Sequence, residues 1–150
     1  MTKVKILFVG LRNSARSQMA EGFLRYLAGD LFEVFSAGIE AGELHPLAIR
    51  VMNEVEIDIS RHYVKSAEEY VTFNLGFVIA VCEVAHERWP IFHHAKNFQR
   101  WDLSDPTKVK GSIEKQLEAF RVVRDEIKNK VWEFICNSSV RAYTEDPVIE

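Results

Sequence analysis

Apolar residues follow two different spacings, and segments with these spacings alternate along the chain. Nearly continuous apolar positions in Lys3–Val9 and Phe77–Cys82 predict strands covered on both faces, as in the centre of a parallel sheet. Weaker strand patterns occupy Phe32–Ala37, which ends at Gly38, and Phe98–Trp101. The chain therefore carries four candidate strands.

Helical spacing of apolar residues fills the intervals between these strands. One helix is expected from Ser17 to Gly29, a second with Pro46 in its first turn, and a long third helix over Ser112–Phe134. A short helix over Ser66–Phe73 opens with a capping box. Strands that alternate with helices predict an α/β sandwich around a mostly parallel sheet, with right-handed crossovers.

Length and composition are those of a single globular domain. The chain has 150 residues, 47% apolar and 27% charged. We expect the domain to span residues 1–137, followed by a surface-lying or mobile C-terminal tail over residues 138–150, where no periodicity is seen. The apolar runs are far shorter than the roughly 18 residues of a membrane span. The N-terminal run is too short for a signal peptide, so a cytoplasmic protein without membrane association is expected.

Charge is nearly balanced, with 19 basic and 22 acidic residues and a net charge of -3. Proteins that bind nucleic acid generally carry a clear basic excess, so no nucleic-acid partner is expected. The beginning of the chain is cationic, because Lys3, Lys5, Arg12 and Arg16 precede the first acidic residue, Glu21.

The cysteines and histidines form no ligand pattern. Cys82 and Cys136 have neither the spacing of a metal site nor that of a disulfide framework, and both are expected to be free thiols. Cys82 ends a predicted strand, where a free cysteine usually serves as a small buried hydrophobe. The histidines without fixed spacing, expected at the surface, are His62, His86, His93 and His94. No metal and no cofactor are expected.

The segment Gly10–Ser17 joins the first predicted strand to the first helix and is suited to an anion. In an open α/β sheet, ligands bind at the carboxyl ends of the strands, and the N–H groups and dipole of a helix N-terminus favour negative charge. Arg16 can offer parallel donors to an oxyanion, and Ser14 and Ser17 offer hydroxyls. Asn13 tolerates the positive φ of a tight cradle and can brace it. An ordinary connecting loop with solvated arginines is the alternative.

The segment Ile6–Gly22 resembles the low-molecular-weight tyrosine phosphatase superfamily, and within it most closely the thioredoxin-coupled arsenate reductases. The resemblance covers residues 3 to about 135 in the order of that family. It implies a phosphatase I-like fold, a three-layer α/β sandwich with a four-stranded parallel sheet and helices on both faces. The further segments that carry the resemblance are Ser36–Gly38, His45–Pro46, Ile57–Ser60, Val81–Cys82 and Trp101–Pro106.

The family loop consists of a nucleophilic cysteine, five residues, an arginine and a serine or threonine, which Arg16 and the residue after it match. The cysteine position falls on Gly10. Asp105 matches the general acid of the family, although an aspartate before proline is also a common turn start. Cys82 matches a resolving thiol, but its expected partner position holds Trp89. The residues that the resemblance assigns to anion binding are Leu11, Arg12, Asn13, Ser14, Ala15, Arg16 and Ser17.

The family reaction is attack by a thiolate on phosphorus or arsenic, which Gly10 cannot perform. The resemblance therefore implies an arsenate reductase-like or phosphatase-like pseudoenzyme that binds phosphate, sulfate, arsenate or a phosphorylated partner. Coupling to thioredoxin is not expected. Two alternatives stay open: an active reductase or phosphatase with an unrecognised nucleophile, for which Ser14 and Ser17 are the loop candidates, and an interaction module with a vestigial loop.

Overall fold

A computed structural model describes residues 3–40, 42–83 and 88–144. Its sheet has four strands in the order β2-β1-β3-β4, and every neighbouring pair is parallel. This confirms the predicted four-stranded parallel sheet. The strands are β1 (Val4–Gly10), β2 (Phe32–Gly38), β3 (Leu75–Ala80) and β4 (Asn97–Arg100).

The helices lie close to their predicted positions. The α-helices are α1 (Arg16–Ala28), α2 (Pro46–Asn53), α3 (Ile113–Cys136) and α4 (Ser138–Thr144). The predicted short helix is a 3-10 helix over Ala67–Tyr70, and the capping box at Ser66 is present. A second 3-10 helix spans Pro106–Lys108. No helix in the described ranges is both long and apolar enough to cross a membrane.

The sheet separates two hydrophobic layers, because successive side chains of a strand point to opposite faces. From β1, Ile6 and Phe8 enter the larger cluster, which includes buried residues of all four α-helices. Leu7 and Val9 enter the smaller cluster, which contains Tyr70 of the 3-10 helix. The three-layer sandwich is thus confirmed, and in the described ranges the helix that contributes to the second face is the 3-10 helix over Ala67–Tyr70.

The segment expected to be an irregular tail begins with a helix. α4 buries Val140, which is 2% exposed, and the ring of Tyr143 lies 5.3 Å from that of Phe77 in β3. The Asn137 side chain accepts hydrogen bonds from the backbone N–H groups of Ser139 and Val140 at 2.9 and 3.2 Å, as a helix cap does. A helix this short shows no usable periodicity in sequence. The rest of the expected tail, residues 145–150, lies outside the described ranges.

A carboxylate at the end of α2 attaches that helix to α3. Glu54 accepts hydrogen bonds from Arg121 at 2.8 Å and from Arg124 at 2.8 Å. The hydrogen bonds from Arg121, together with those from Arg124, outweigh burial and lower the pKa of Glu54 from 4.5 to about 2. Because the pKa of Glu54 is lower in the folded state than in the unfolded state, its ion pairs contribute their full stabilisation above pH 4.5. This contribution is lost as the pH falls towards about 2.

We expect Glu54→Gln to lower the free energy of unfolding at neutral pH, and the difference from the wild type to shrink as the pH falls through 4.5 towards about 2. Urea unfolding followed by circular dichroism over this pH range measures both. Glu126→Gln, on an exposed position of α3, is the matched control and should be neutral throughout. A destabilisation that does not change with pH would contradict the ion-pair explanation.

Candidate functional site

The loop between β1 and α1 lies where the order of the strands reverses. From β1, the chain proceeds to β2 on one side, while β3 lies on the other side, which makes this the topological switch point of the sheet. A cleft of about 530 Å³ opens there. Residues 10–17 and Asp105 all line it, so the structure brings the predicted anion-binding residues and the predicted acid together. The lining residues not predicted as site residues are Gly42, Glu43, His45, Thr107 and Lys108.

The loop backbone is oriented by hydrogen bonds to its carbonyl groups. Carbonyl oxygens of the loop accept from surrounding residues, and no backbone N–H of residues 11–17 donates to an acceptor in the described parts of the chain. With the carbonyls held by the surroundings, these N–H groups are available to a ligand in the cleft. The bonds are Ile39 N–H to Gly10 O at 3.2 Å, Glu40 N–H to Leu11 O at 2.8 Å, Gln18 Nε2 to Asn13 O at 3.1 Å and His45 N–H to Ser14 O at 2.9 Å.

The start of α1 adds positive potential to the loop. The residue before the helix, Ala15, has no side chain that can cap it, and the first turn contains no acidic residue. The first N–H groups of a helix lack partners within the helix, and its dipole places partial positive charge there. An anion is therefore the natural partner for this uncapped end.

Asn13 holds the loop in shape from behind. Its φ is 57°, the left-handed conformation that the sequence predicted for this position, and its side chain is 1% exposed. Its Nδ2 donates to Ser17 Oγ at 2.8 Å and to Ser36 Oγ at 2.9 Å, and its Oδ1 accepts from the Lys65 N–H at 3.0 Å. The predicted bracing role of Asn13 is confirmed.

Two glycines shape the entrance to the loop. A Cβ at Gly38, at the end of β2, would lie 2.7 Å from the backbone of Arg12 and Asn13, so only glycine allows the loop to pack this closely. A Cβ at Gly10 would lie 3.1 Å from Ser17 Oγ. A side chain at position 10 would therefore point at the hydroxyl that opens α1.

Arg16 is part of the wall of the cleft and is not solvated, because its side chain is only 12% exposed. One Nη donates to Leu103 O at 3.1 Å, and the other lies 3.5 Å from an oxygen of Asp105. The second Asp105 oxygen accepts from the N–H and the hydroxyl of Thr107 at 3.0 and 2.5 Å. Asp105 is thus both the start of a turn and a carboxylate of the cleft.

The electrostatics of Asp105 favour its ionised form. Burial acts to raise the pKa of Asp105, but the hydrogen bonds from Thr107 and the charge of Arg16 outweigh it and lower the pKa below its ordinary value. The cleft therefore contains a carboxylate beside the cations Arg12, Arg16 and Lys108. A general acid at this position would have to gain a proton before acting.

Cys82 does not line this cleft. It is buried and lines a neighbouring apolar cavity together with Trp89 and Phe98. Burial raises the pKa of the Cys82 thiol, against the charge of Arg16. A thiol with a raised pKa is a poor nucleophile at neutral pH, and Cys82 and Cys136 are both free.

A buried charged cluster behind the loop is absent from the sequence predictions. Glu21 and Lys65 are 4% and 7% exposed, and Lys65 Nζ lies 3.4 Å from Glu21 Oε1. The same Glu21 oxygen accepts from Ser36 Oγ at 2.5 Å, and Arg25 lies 2.6 Å from the other. Burial acts to raise the pKa of Glu21, but Lys65 and then Ser36 outweigh it, so the pKa is lowered. No local pattern reveals a pair whose members are 44 positions apart.

His62 joins this cluster, which corrects its expected surface position. Its side chain is 14% exposed, and its Nδ1 lies 3.0 Å from Gln18 Oε1. His93 and His94 are exposed as expected, and His86 lies outside the described residues. In ranges 3–40, 42–83 and 88–144, no group of three or more histidine, cysteine, aspartate or glutamate residues is placed to hold a metal ion.

A sequence profile of the family "Low molecular weight phosphotyrosine protein phosphatase" matches residues 5–144. The chain belongs to this family. An arsenate reductase from Shouchella clausii is 39% identical over 134 residues, which are 89% of this chain and 96% of the relative. An arsenate reductase from Bacillus subtilis is 38% identical over 129 residues, or 86% and 93% of the two chains.

Solved structures of arsenate reductases have the same fold. A structure described as an arsenate reductase in the phosphate binding state superposes with a TM-score of 0.77 at 35% identity, covering 95% of this chain and 99% of the other. The resemblance to this family that is seen in the sequence is confirmed, and the chain is similar over most of its length to arsenate reductases.

Proposed function

We propose that this family member has lost the catalytic step and retains the binding of a tetrahedral oxyanion in the cleft. The observation that carries the proposal is the loop of residues 11–17. Its N–H groups donate to no acceptor in the described residues, while the carbonyl groups of Leu11, Asn13 and Ser14 are bonded to surrounding residues. The family motif requires a cysteine at the end of β1, and Gly10 offers no side chain there. The cleft can therefore bind an oxyanion without attacking it.

The other candidate nucleophiles are badly placed. Ser17 is 1% exposed, and its hydroxyl already accepts a hydrogen bond from Asn13. Ser14 lies in the middle of the loop, away from the strand end where in-line attack starts. Cys82 lines a different cavity, and the raised pKa of its thiol disfavours the thiolate. With Trp89 at the position expected for its redox partner, we do not expect coupling to thioredoxin.

The ligand class follows from the geometry and charge of the cleft. Loop N–H groups, the start of α1 and Arg16 suit phosphate, arsenate, sulfate or a phosphoryl group on a partner. The absence of a thiolate at position 10 removes a negative charge that would repel a dianion. The solved relative described as being in the phosphate binding state supports this choice.

Titration with inorganic phosphate tests the proposal. We expect phosphate to shift the backbone amide resonances of residues 11–17, and Arg16→Ala to weaken binding by about tenfold or more, because hydrogen bonds to charged groups contribute most. Arg16→Lys should retain part of the affinity, and Arg61→Ala, at an exposed site, should retain all of it. The same samples should not hydrolyse p-nitrophenyl phosphate above buffer.

Two results would refute the proposal in different ways. Loop amides that do not respond to phosphate would mean that the loop is vestigial and that the protein acts only through another surface. Hydrolysis that persists in Cys82→Ser and Cys136→Ser would mean that a hydroxyl or a bound water acts as nucleophile.

A further inference from the structure

We propose that His45 donates a hydrogen bond from its Nε2–H to the oxyanion, which makes it a binding residue in addition to the loop and Arg16. The inference rests on the proposed binding of an oxyanion in the cleft. In the sequence, His45 belongs to one of the segments that carry the family resemblance, but no role is predicted for its side chain. Its role emerges from how its ring is held on the wall of the cleft.

Three contacts restrain His45. Its backbone N–H donates to Ser14 O at 2.9 Å, which attaches this residue to the anion loop. Its ring centroid lies 4.7 Å from that of Phe120 in α3. Its Nδ1 accepts from the Leu47 N–H at 3.1 Å and so caps α2. In the described parts of the chain Nε2 has no hydrogen-bond partner, and His45 is one of the residues that line the cleft.

The cap determines which nitrogen of the ring carries the proton. A neutral imidazole has one donor and one acceptor nitrogen. Since Nδ1 accepts from Leu47, the proton lies on Nε2, and a second proton on Nδ1 would face the Leu47 N–H. Burial lowers the pKa of His45, although the charge of Asp105 opposes this, and this direction favours the neutral ring. His45 is therefore a fixed donor.

The carboxylate whose charge acts on His45 is Asp105, and both of its oxygens already contact other donors. One of its oxygens accepts from Thr107, and the other lies 3.5 Å from Arg16. An oxyanion bound by the loop therefore supplies the acceptor that the Nε2–H lacks. A donor held in place before binding also loses little conformational entropy when the ligand arrives.

The variant that isolates this role is His45→Ser. Serine is a good N-cap residue, so the Leu47 N–H keeps an acceptor, but its side chain is too short to reach the ligand. We expect inorganic phosphate to bind His45→Ser about tenfold more weakly than the wild type, the size of a hydrogen bond to a charged group. His94→Ser, at an exposed histidine, should bind as the wild type does. Thermal unfolding checks that both variants stay folded.

Imidazole ¹⁵N spectra of the wild type provide an independent readout. We expect an unprotonated Nδ1 and a protonated Nε2 in the free protein, and a phosphate-dependent shift of the Nε2–H resonance. A proton on Nδ1 would overturn the inference, and so would equal phosphate affinities of the wild type and a folded His45→Ser. In either case phosphate binding by the wild type would leave the proposed function intact. Absence of that binding would overturn both.

Discussion

Replacing Gly10 with cysteine should produce phosphatase activity in a chain that we expect to have none. The new Cβ would lie 3.1 Å from Ser17 Oγ and 3.7 Å from Val81 Cγ2, so the position is tight but not blocked. A hydroxyl that moves by a few tenths of an ångström relieves the closer contact. The thiol would then face the start of α1 at the end of β1, where in-line attack begins.

The surroundings of this thiol favour the thiolate. The N–H groups of the loop, the uncapped end of α1 and Arg16 all stabilise negative charge. We expect the pKa of the introduced thiol to fall below the free value of roughly 8.5. Asp105, on the wall of the same cleft, is available to protonate the leaving oxygen.

The measurement is the hydrolysis of p-nitrophenyl phosphate by the wild type, Gly10→Cys and Gly10→Ser. Only Gly10→Cys should be active, and adding Asp105→Asn should reduce its rate by roughly 10²-fold. Arg12→Gly should add little, because among the described non-glycine residues only Asn13 and Glu56 have positive φ, so Arg12 is under no strain that glycine would relieve. An inactive Gly10→Cys that folds and binds phosphate would show that the loop no longer supports catalysis.

Arsenate reduction should remain absent from Gly10→Cys even if phosphatase activity appears. Reduction needs a second thiol to resolve the arsenic adduct and a third to pass the disulfide on. Cys82 stands where the family resemblance places the resolving thiol, but Trp89 occupies the position of its expected partner, so Cys82 has no thiol there to which it can pass the disulfide.

Glu21→Gln should cause one of the largest losses of stability among single substitutions in this chain. The substitution leaves the Lys65 ammonium, which is 7% exposed, without a charged partner. Removing one member of a buried ion pair costs about 3–5 kcal/mol. For a domain of this size each kcal/mol lowers Tm by roughly 2–4 °C. Differential scanning calorimetry and urea unfolding measure both quantities.

Matched variants separate the buried pair from simple loss of charge. Glu21→Gln combined with Lys65→Met should recover most of the lost stability, since no buried charge is then unpaired. Glu33 forms an ion pair with Lys5, and its side chain is 48% exposed. Glu33→Gln should therefore change stability little. If Glu21→Gln destabilises the protein no more than Glu33→Gln does, the contribution to stability expected of the buried ion pair is wrong.

The loss from Glu21→Gln should also depend on pH. The folded state lowers the pKa of Glu21, so its contribution is present above the ordinary value of 4.5 and declines as the pH falls through the folded value. We therefore expect the difference between the wild type and Glu21→Gln to narrow on acidification.

Local signals determined the framework of this protein. The nearly continuous apolar run of β1 is buried only if both faces of the sheet are covered. The capping box at Ser66 specifies its own hydrogen bonds. The left-handed backbone at Asn13 likewise follows from the residue type and its place between a strand and a helix. These features depend on residues close together in the chain. The motif from Gly10 to Ser17 identified the family for the same reason.

The tertiary structure decided which charged side chains are buried and where they point. Glu21 and Lys65 are 44 positions apart, and only folding creates the interior that makes them pair. The sequence alone is compatible with a solvated Arg16. In the fold, Leu103 O and Asp105, which belong to a distant segment of the chain, contact its guanidinium group. The position of the His45 ring depends on its contact with the ring of Phe120, which belongs to the distant helix α3. Hydrogen bonding and burial of these groups are set by distances across the fold, and a linear sequence does not contain those distances.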